Sequence, residues 1–202
     1  RARFYEYPRF TYPWHFHSEY EIIYVEKGEG DCLVGDSIIS YSKGDLILFG
    51  SELPHSMQSP PDGGEESDNE EKSELKVRGV NIQFEKDFMH YSISQYSQFI
   101  PIRNLLEDAC RGIKFTITRS GKIIKLLKQI PSAKGVDQII LLLSLLQMMA
   151  TSNHRKYLTT SHYTPSPSIM RNERMEKVIA YLNKHYTESI GLDEIASYTA
   201  MN

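Results

Sequence analysis

The sequence predicts a mainly β N-terminal part followed by an α-helical C-terminal part. Short apolar stretches, separated by turns that contain Gly or Asp, recur as far as residue 84. Beyond residue 85 the apolar residues change to helical spacing, and a stretch with Pro and Ser then precedes a last amphipathic segment. Strands this closely spaced favour an antiparallel sandwich or barrel over a parallel sheet with helical crossovers.

The predicted strands alternate apolar and polar residues. They cover residues 20–26, 30–34, 37–41, 46–49, 55–58 and 76–84. Gly35 and Asp36 separate two of these strands and predict a tight hairpin, because glycine tolerates the positive φ of such turns. Residues 59–74 interrupt the pattern with Pro, Gly and acidic residues. This stretch predicts a disordered surface loop, with an acidic interaction segment as the alternative.

Helical spacing begins with Ile102, and Pro101 and Gly112 supply the signals for a helix start and a helix stop. Further helices are predicted at residues 121–130 and 136–151. The last of these is apolar on most of its circumference, so it must be covered on more than one side. A second copy of the chain would cover one side, which predicts a homodimer; burial within the same domain is the alternative. The dimerisation residues predicted on this helix are Ile139, Leu142, Leu143, Leu146 and Met149.

These patterns divide the chain at residues 1–95, 96–152, 153–172 and 173–202. The first range is the β part and the second is a helical packing segment. Residues 153–172 contain the run Thr164-Pro165-Ser166-Pro167 and are predicted to be a linker. The final range predicts two helices, the second of which carries Asp193 and Glu194 in its first turn, where the helix dipole favours acids.

Composition sets limits on location and partners. The 202 residues carry a net charge of -3, which counts only weakly against DNA binding because an average can hide a basic patch. Cys32 and Cys110 are too few and too far apart for a disulfide scaffold, so a cytoplasmic protein is expected. The N-terminus lacks the pattern of a signal peptide. The longest apolar run, residues 139–150, is too short to span a bilayer, so no membrane is expected.

The run Trp14-His15-Phe16-His17-Ser18-Glu19-Tyr20-Glu21 carries the strongest chemical signal. His15, His17 and Glu21 share parity, so in a strand they would lie on one face. Imidazole and carboxylate groups bind borderline divalent metals, and His55 supplies a fourth group if the sheet folds over. Zinc, nickel, iron and manganese all accept such a set. Alternatively, these residues form the polar end of a pocket that holds no metal.

The spacing His-x-His, three residues, Glu, six residues, Gly, followed by a later Gly and by Pro54-His55, resembles the two cupin motifs. Cupins are small antiparallel barrels that hold a metal or a small ligand in their mouth. The second motif departs from the pattern, because Gly50-Ser51-Glu52 stands where a Pro-x-Gly turn is usual.

With Gly44-Asp45-Leu46, Asn81-Ile82-Gln83-Phe84 and the C-terminal helices, nearly all of the chain outside the acidic loop resembles AraC-type transcription regulators. The resemblance implies a cupin β-barrel at residues 1–95 that senses a small molecule, such as a sugar or another metabolite. It implies a helical dimerisation segment at residues 96–152 and the first helices of an all-α helix-turn-helix domain at residues 173–202. The recognition helix would then be absent, so DNA binding would need the full-length C-terminal domain. The implied effector pocket contains Trp14, His15, His17, Glu21, His55 and Tyr5.

The first functional hypothesis is therefore a ligand-responsive, DNA-binding transcription regulator. The alternative is a metal-dependent cupin enzyme that acts on a small organic acid or a sugar. No catalytic residues are predicted, since the sequence has no Gly-x-Ser-x-Gly elbow or comparable nucleophile site.

Overall fold

The computed structural model describes residues 1–60, 77–117, 121–164, 173–185 and 190–199. The strands within these ranges are β1 (Ala2–Tyr7), β2 (Tyr20–Lys27), β3 (Gly30–Val34), β4 (Ser37–Tyr41), β5 (Asp45–Phe49), β6 (His55–Gln58), β7 (Val77–Phe84), β8 (Ile113–Thr116) and β9 (Arg155–Tyr157). The helices are α1 (His90–Gln95), α2 (Ile100–Asp108), α3 (Gly121–Gln129), α4 (Gly135–Ala150), α5 (Glu173–His185) and α6 (Leu192–Thr199). Short 3-10 turns flank α2 and follow α3.

The described strands form two antiparallel sheets. The larger sheet has the order β1-β7-β2-β5-β8-β9, and the smaller one has the order β4-β3-β6. The predicted closed barrel is therefore wrong, and the architecture is mixed β and α with antiparallel sheets. In the described part of the chain, no ladder of backbone hydrogen bonds joins the edges of the two sheets. Isolated bridges of Thr11 with Gln58 and of His15 with His55 link β6 to the segment after β1.

The two faces of the larger sheet belong to different cores. Ile22 and Tyr24 of β2 pack toward the helices, whereas Ile23 and Val25 pack toward the smaller sheet. This alternation is the one predicted for residues 20–26, and it places the side chain of Glu21 between the sheets. Burial of apolar side chains on both faces stabilises the sheet by about 2 kcal/mol for each fully buried residue.

The α2, α3 and α4 helices form a layer on the outer face of the larger sheet. Pro101 lies in the first turn of α2, where its missing N–H costs nothing, and Gly112 follows the helix with a φ of 61°. Leu142, Leu146 and Met149 of α4 are buried in this layer. Their side of α4 packs against the chain's own core, as the alternative of burial within the same domain expects, and their place in a dimer interface stays a prediction. Of the predicted dimerisation set, Ile139 is 39% exposed and Leu143 is half-buried.

The hairpin predicted at Gly35 and Asp36 is confirmed, since Val34 pairs with Ser37 and Gly35 has a φ of 54°. Three strands lie outside the predicted set. They are β1, β8 and β9. The β9 strand falls within the predicted linker, and it pairs with β8 through three residue pairs from Ile113 to Phe115. Residues 153–164 therefore lie in a described and partly buried segment, while residues 165–172 lie outside the described residues.

The last two described helices, α5 and α6, contact each other. The hydroxyl of Tyr181 donates to Oε1 of Glu194 at 2.5 Å, and its ring lies 4.6 Å from that of Tyr198. Residues 61–74 of the predicted acidic loop and the last residues of the chain, 200–202, lie outside the described residues. No helix in the described ranges has the length and apolar character needed to cross a membrane.

Candidate functional site

The histidines predicted from the sequence come together, but the segment that carries His15 and His17 is not a strand. The β2 strand begins only at Tyr20. His15 is held instead by two backbone hydrogen bonds with His55, at 3.1 Å and 2.9 Å. The N–H of Glu52 donates to the carbonyl of His17 at 2.8 Å, which fixes the second histidine. The turn before β6 thus positions the segment before β2.

Glu21 is the centre of the cluster, and its side chain is almost fully buried. Nε2 of His17 and Nε2 of His55 each lie 3.0 Å from Oε2 of this carboxylate. The other oxygen, Oε1, accepts hydrogen bonds from Nδ2 of Asn81 and from Nε2 of Gln83, the latter at 3.4 Å. Both carboxylate oxygens are therefore oriented by partners from three different segments.

Each imidazole in the cluster turns its Nδ1 atom to a backbone carbonyl. The Nδ1 atoms of His15, His17 and His55 lie 2.9 Å, 3.1 Å and 2.8 Å from the carbonyl oxygens of Pro13, Glu19 and Leu53. A carbonyl oxygen only accepts, so Nδ1 carries the proton in each ring. In the neutral ring, Nε2 then carries a lone pair that faces the interior of the cluster.

Two inward lone pairs cannot both lie 3.0 Å from one carboxylate oxygen without a positive charge between them. The hydrogen bond with Glu21 raises the pKa of the His17 imidazole, which favours a proton on Nε2 that donates to the carboxylate. Burial opposes ionisation of Glu21, but hydrogen bonds from His17, His55 and Asn81 outweigh it and hold the pKa of the carboxyl group well below its usual range. Burial and the nearby His55 lower the pKa of His15.

A divalent cation fits the same donor set. One ligand atom from each of His15, His17, Glu21 and His55 lies within 4.8 Å of the others. Backbone carbonyls fix the tautomers, and Asn81 orients the carboxylate, as the second layer of a metal site does. The ring of His55 also stacks on Phe49, with ring centres 4.1 Å apart. Three imidazoles and one carboxylate are compatible with zinc, nickel, iron or manganese.

A cavity of about 50 Å³ lies between the two sheets beside this cluster. His15, Glu21 and His55 form its polar end together with Asn81 and Gln83. Two residues of the implied effector pocket, Trp14 and His17, are not among the residues that line it. His17 joins the cluster through Glu21.

The remaining wall of the cavity is mainly aromatic and aliphatic. Tyr5, predicted for the pocket, is joined there by the aromatic rings of Tyr7, Phe10 and Tyr12. The Tyr5 ring stacks on Tyr7 with centres 5.8 Å apart and lies 5.3 Å from Phe10. The hydroxyl of Tyr5 donates to the carbonyl of Tyr24 at 3.1 Å, so the ring rather than the hydroxyl meets the cavity.

Three polar residues of the cavity were missed by the sequence-based prediction. They are Arg3, Asn81 and Gln83. A signal for the last two existed, because both alternate with the apolar Ile82 along β7 and therefore lie on the face that also carries Glu21. Arg3 had no such signal, since β1 was not predicted as a strand.

The comparison with protein families agrees with this geometry. Residues 1–71 match the AraC-like ligand binding domain. This match covers β1 to β6 and so includes His15, His17, Glu21 and His55. The N-terminal part of the chain is thus similar to a ligand-binding domain of AraC-type regulators. A search of curated protein sequences found no match.

Distant likenesses to solved structures were also found. ToxT from Vibrio cholerae is 11% identical with a TM-score of 0.46, and the alignment covers 100% of this chain and 71% of ToxT. ToxT bound to an unsaturated fatty acid is 15% identical with a TM-score of 0.46, covering 100% of this chain and 69% of that one. Oxalate decarboxylase from Bacillus subtilis is 21% identical with a TM-score of 0.28, covering 46% of this chain and 24% of the enzyme.

Proposed function

We propose that this chain carries the effector-sensing part of a ligand-responsive, DNA-binding transcription regulator of the AraC type. The observation that supports this most directly is the cavity with one polar end inside the region similar to the AraC-like ligand binding domain. A concave, mostly apolar site with a few convergent polar groups is typical of small-molecule binding. The match to a ligand-binding domain favours a sensor over the alternative of a metal-dependent enzyme.

The DNA-binding role is assigned to the C-terminal helices in the full-length protein, which would act in the cytoplasm. The α5 and α6 helices pack against each other through Tyr181, and they correspond to the first two helices expected of a helix-turn-helix unit. Such a unit reads base edges with its next helix, and α6 itself begins with the acidic residues Asp193 and Glu194, which would repel phosphate. An effector would act by binding one arrangement of sensor and reader more tightly than another.

The regulator is proposed to be a homodimer, as expected from the apolar character of α4. The surface available for a second copy is the outer face of this helix. There Val136 is 68% exposed, Ile140 is 55% exposed and Ile139 is 39% exposed. Covering these residues in a symmetric dimer would remove apolar surface from water.

The proposed operator binding is tested with the full-length gene product. Fragments of genomic DNA are selected on the purified protein, and the affinity for the enriched fragment is measured against a scrambled fragment of equal length at one stated salt concentration. The expected result is a preference of at least about 1,000-fold, the lower end for specific DNA-binding proteins. Equal affinity for both fragments, with and without an extract of small metabolites, would show that the proposal is wrong.

The cluster around Glu21 is proposed to bind a divalent metal through His15, His17, Glu21 and His55. When bound, the metal would supply Lewis-acidic positions for an oxygen donor of the effector. Inductively coupled plasma mass spectrometry on the purified chain, followed by titration with Zn²⁺ after chelation, tests this site. His55→Ala and Glu21→Gln are expected to lower the affinity for Zn²⁺ by at least about 100-fold, whereas the exposed His154→Ala is expected to leave it unchanged. An equal loss, or no loss, in all three variants would contradict the assignment.

A further inference from the structure

We infer that the cavity between the sheets binds a short aliphatic carboxylate, and that Arg3 is the residue that pairs with the carboxylate group. The ligand class comprises hydroxy acids, oxo acids and dicarboxylic acids of about two to four carbons, a size set by the cavity volume. This inference rests on the proposed sensing function and names the chemistry of its effector.

Arg3 has donors to offer and no acceptor among the residues that the structure describes. Its side chain is half-buried and lines the cavity. Across the described residues, no hydrogen bond or ion pair is made by its guanidinium group. A guanidinium has five N–H donors in a planar fork, and a carboxylate satisfies two of them at once. Another arginine on the same sheet is neutralised by the chain itself, since Arg78 forms an ion pair with Glu26.

The sheet register places Arg3 at some distance from the cluster around Glu21. Arg3 pairs with Asn81 across β1 and β7, and Asn81 pairs with Ile23 across β7 and β2. Arg3 is therefore two strands away from the strand of Glu21, a separation of roughly 10 Å at the usual strand spacing. The cavity thus has a cationic side at Arg3 and a polar end at the histidines. An acid with a second oxygen group matches both.

The wall between these two ends offers few hydrogen-bonding groups to a ligand. Phe10, Ile23 and Met57 are apolar, and the hydroxyl of Tyr5 already donates to the carbonyl of Tyr24. A sugar carries a hydroxyl on nearly every carbon, and each unpaired buried hydroxyl costs about 1–3 kcal/mol. A short acid carries its polar atoms at its ends and meets this wall with methylene groups. The wall therefore favours an acid over a neutral sugar.

The cavity volume limits the size of the ligand. At about 50 Å³, the space is about a third of the roughly 150 Å³ apolar cavity known to admit benzene. One water molecule needs about 10–15 Å³ on this measure, so the space is equivalent to about three to five water molecules, or roughly 90–150 Å³ of liquid at about 30 Å³ each. Aromatic acids and hexoses exceed this volume.

The test is calorimetric titration of the 202-residue chain with lactate, malonate and succinate, with lactamide as the uncharged match to lactate. Each titration is run with saturating Zn²⁺ and again in a chelator. We expect at least one acid to bind and lactamide not to bind. Arg3→Gln should lower the affinity for that acid by at least 10-fold, the equivalent of about 1.4 kcal/mol, and Arg3→Lys should lower the affinity less. Arg155→Gln, at the opposite edge of the sheet on β9, is the matched control and should leave the affinity unchanged.

Three results would overturn the inference. They are failure of all three acids to bind, equal affinity for lactate and lactamide, and unchanged affinity in both Arg3 variants when thermal unfolding shows that the variants fold. The proposed function fails separately, in the operator selection described above. A neutral effector that altered operator binding would remove the carboxylate assignment and leave the sensor in place.

Discussion

Thr160 donates two hydrogen bonds to Asp36, although 124 residues separate them in the chain. The backbone N–H of Thr160 donates to Oδ1 at 3.0 Å, and its hydroxyl donates to Oδ2. The neighbouring Leu158 is buried in the core between the sheets. Because Val34 pairs with His55, the segment after β9 is attached to the strand pair that carries one residue of the candidate site. The β6 strand and the segment after β9 are therefore both attached to β3 and the turn that follows it.

Asp36→Asn is expected to loosen this attachment. The hydrogen bonds from Thr160 hold the pKa of Asp36 below its usual value, which means that the folded chain favours the ionised carboxylate. Their contribution is present above the ordinary aspartate pKa of about 3.9 and is lost as the pH falls through the lowered value. Hydrogen exchange at the amides of residues 158–160 should become at least several-fold faster in the variant at pH 7. Asp31→Asn, an exposed change on the same sheet, should leave the exchange unchanged. Equal rates in the wild type and in Asp36→Asn would show that the contact does not hold the segment.

Much of the β part could be predicted from sequence, because its signals are local. Turn residues such as Gly35 fix hairpins within a few positions, and alternation along β2 assigns each side chain to a face. The missed strands β8 and β9 have three or four residues each, and they form because β8 pairs with the edge of β5 and β9 pairs in turn with β8. The pairing of Leu48 with Ile113 joins residues far apart in the chain, and such a tertiary effect is not visible in sequence periodicity.

The sequence predicted the ligand residues of the site but not the residues and backbone contacts that hold them in place. His15, His17, Glu21 and His55 could be found because their chemistry is visible in the residue types. The parity argument grouped His15 and His17 with Glu21, yet the segment that carries the two histidines is irregular and is held by backbone bonds to β6 and its preceding turn. Arg3 could be predicted as a residue of the cavity only if the pairing of β1 with β7 was known. The exposed side of α4 could not be separated from its buried side, because apolar residues surround the helix and the period gives no direction.

A pH-dependent difference in stability is expected for His17→Gln in a chelating buffer. The hydrogen bond with Glu21 raises the pKa of His17, so its contribution is fully present below the unfolded pKa of about 6.5 and is lost as the pH rises through the raised value. Urea unfolding should show the wild type more stable than the variant by about 1.5 kcal/mol at pH 5.5, the low end for a hydrogen bond between charged groups at a partly exposed site. The gap should narrow by pH 8.5. A gap that stays constant or widens with rising pH would contradict the assignment of the proton to this ring.

Gly79→Ala is expected to destabilise the larger sheet. A Cβ atom at this position would overlap the carbonyl oxygen of Tyr24 and would lie 2.8 Å from the hydroxyl of Tyr5. Backbone cannot yield as a flexible side chain does, so the expected loss is about 3 kcal/mol or more in urea unfolding. Gly121→Ala is the control, because nothing lies within 4 Å of its added Cβ and the residue begins α3. This second variant should be neutral or more stable by up to about 1 kcal/mol. Similar losses in both variants would contradict the close packing of β7 against β2.

Substitutions on the two sides of α4 are expected to have different effects. A change on the buried side should lower the stability of the fold, and a change on the exposed side should weaken association of two copies. Leu146 is fully buried among the helices, so Leu146→Ala should cost about 2–5 kcal/mol in the free energy of unfolding. Ile140 is 55% exposed on the other side, so Ile140→Glu should change the stability of the monomer by no more than about 0.5 kcal/mol. Sedimentation velocity at a series of concentrations measures the second effect. If the outer face of α4 joins two copies, Ile140→Glu should raise the dissociation constant of the dimer at least 10-fold, because a carboxylate would be buried in an apolar interface. Unchanged association in this variant would place the interface elsewhere, and a wild-type chain that stays monomeric at high concentration would remove the dimer from the proposal.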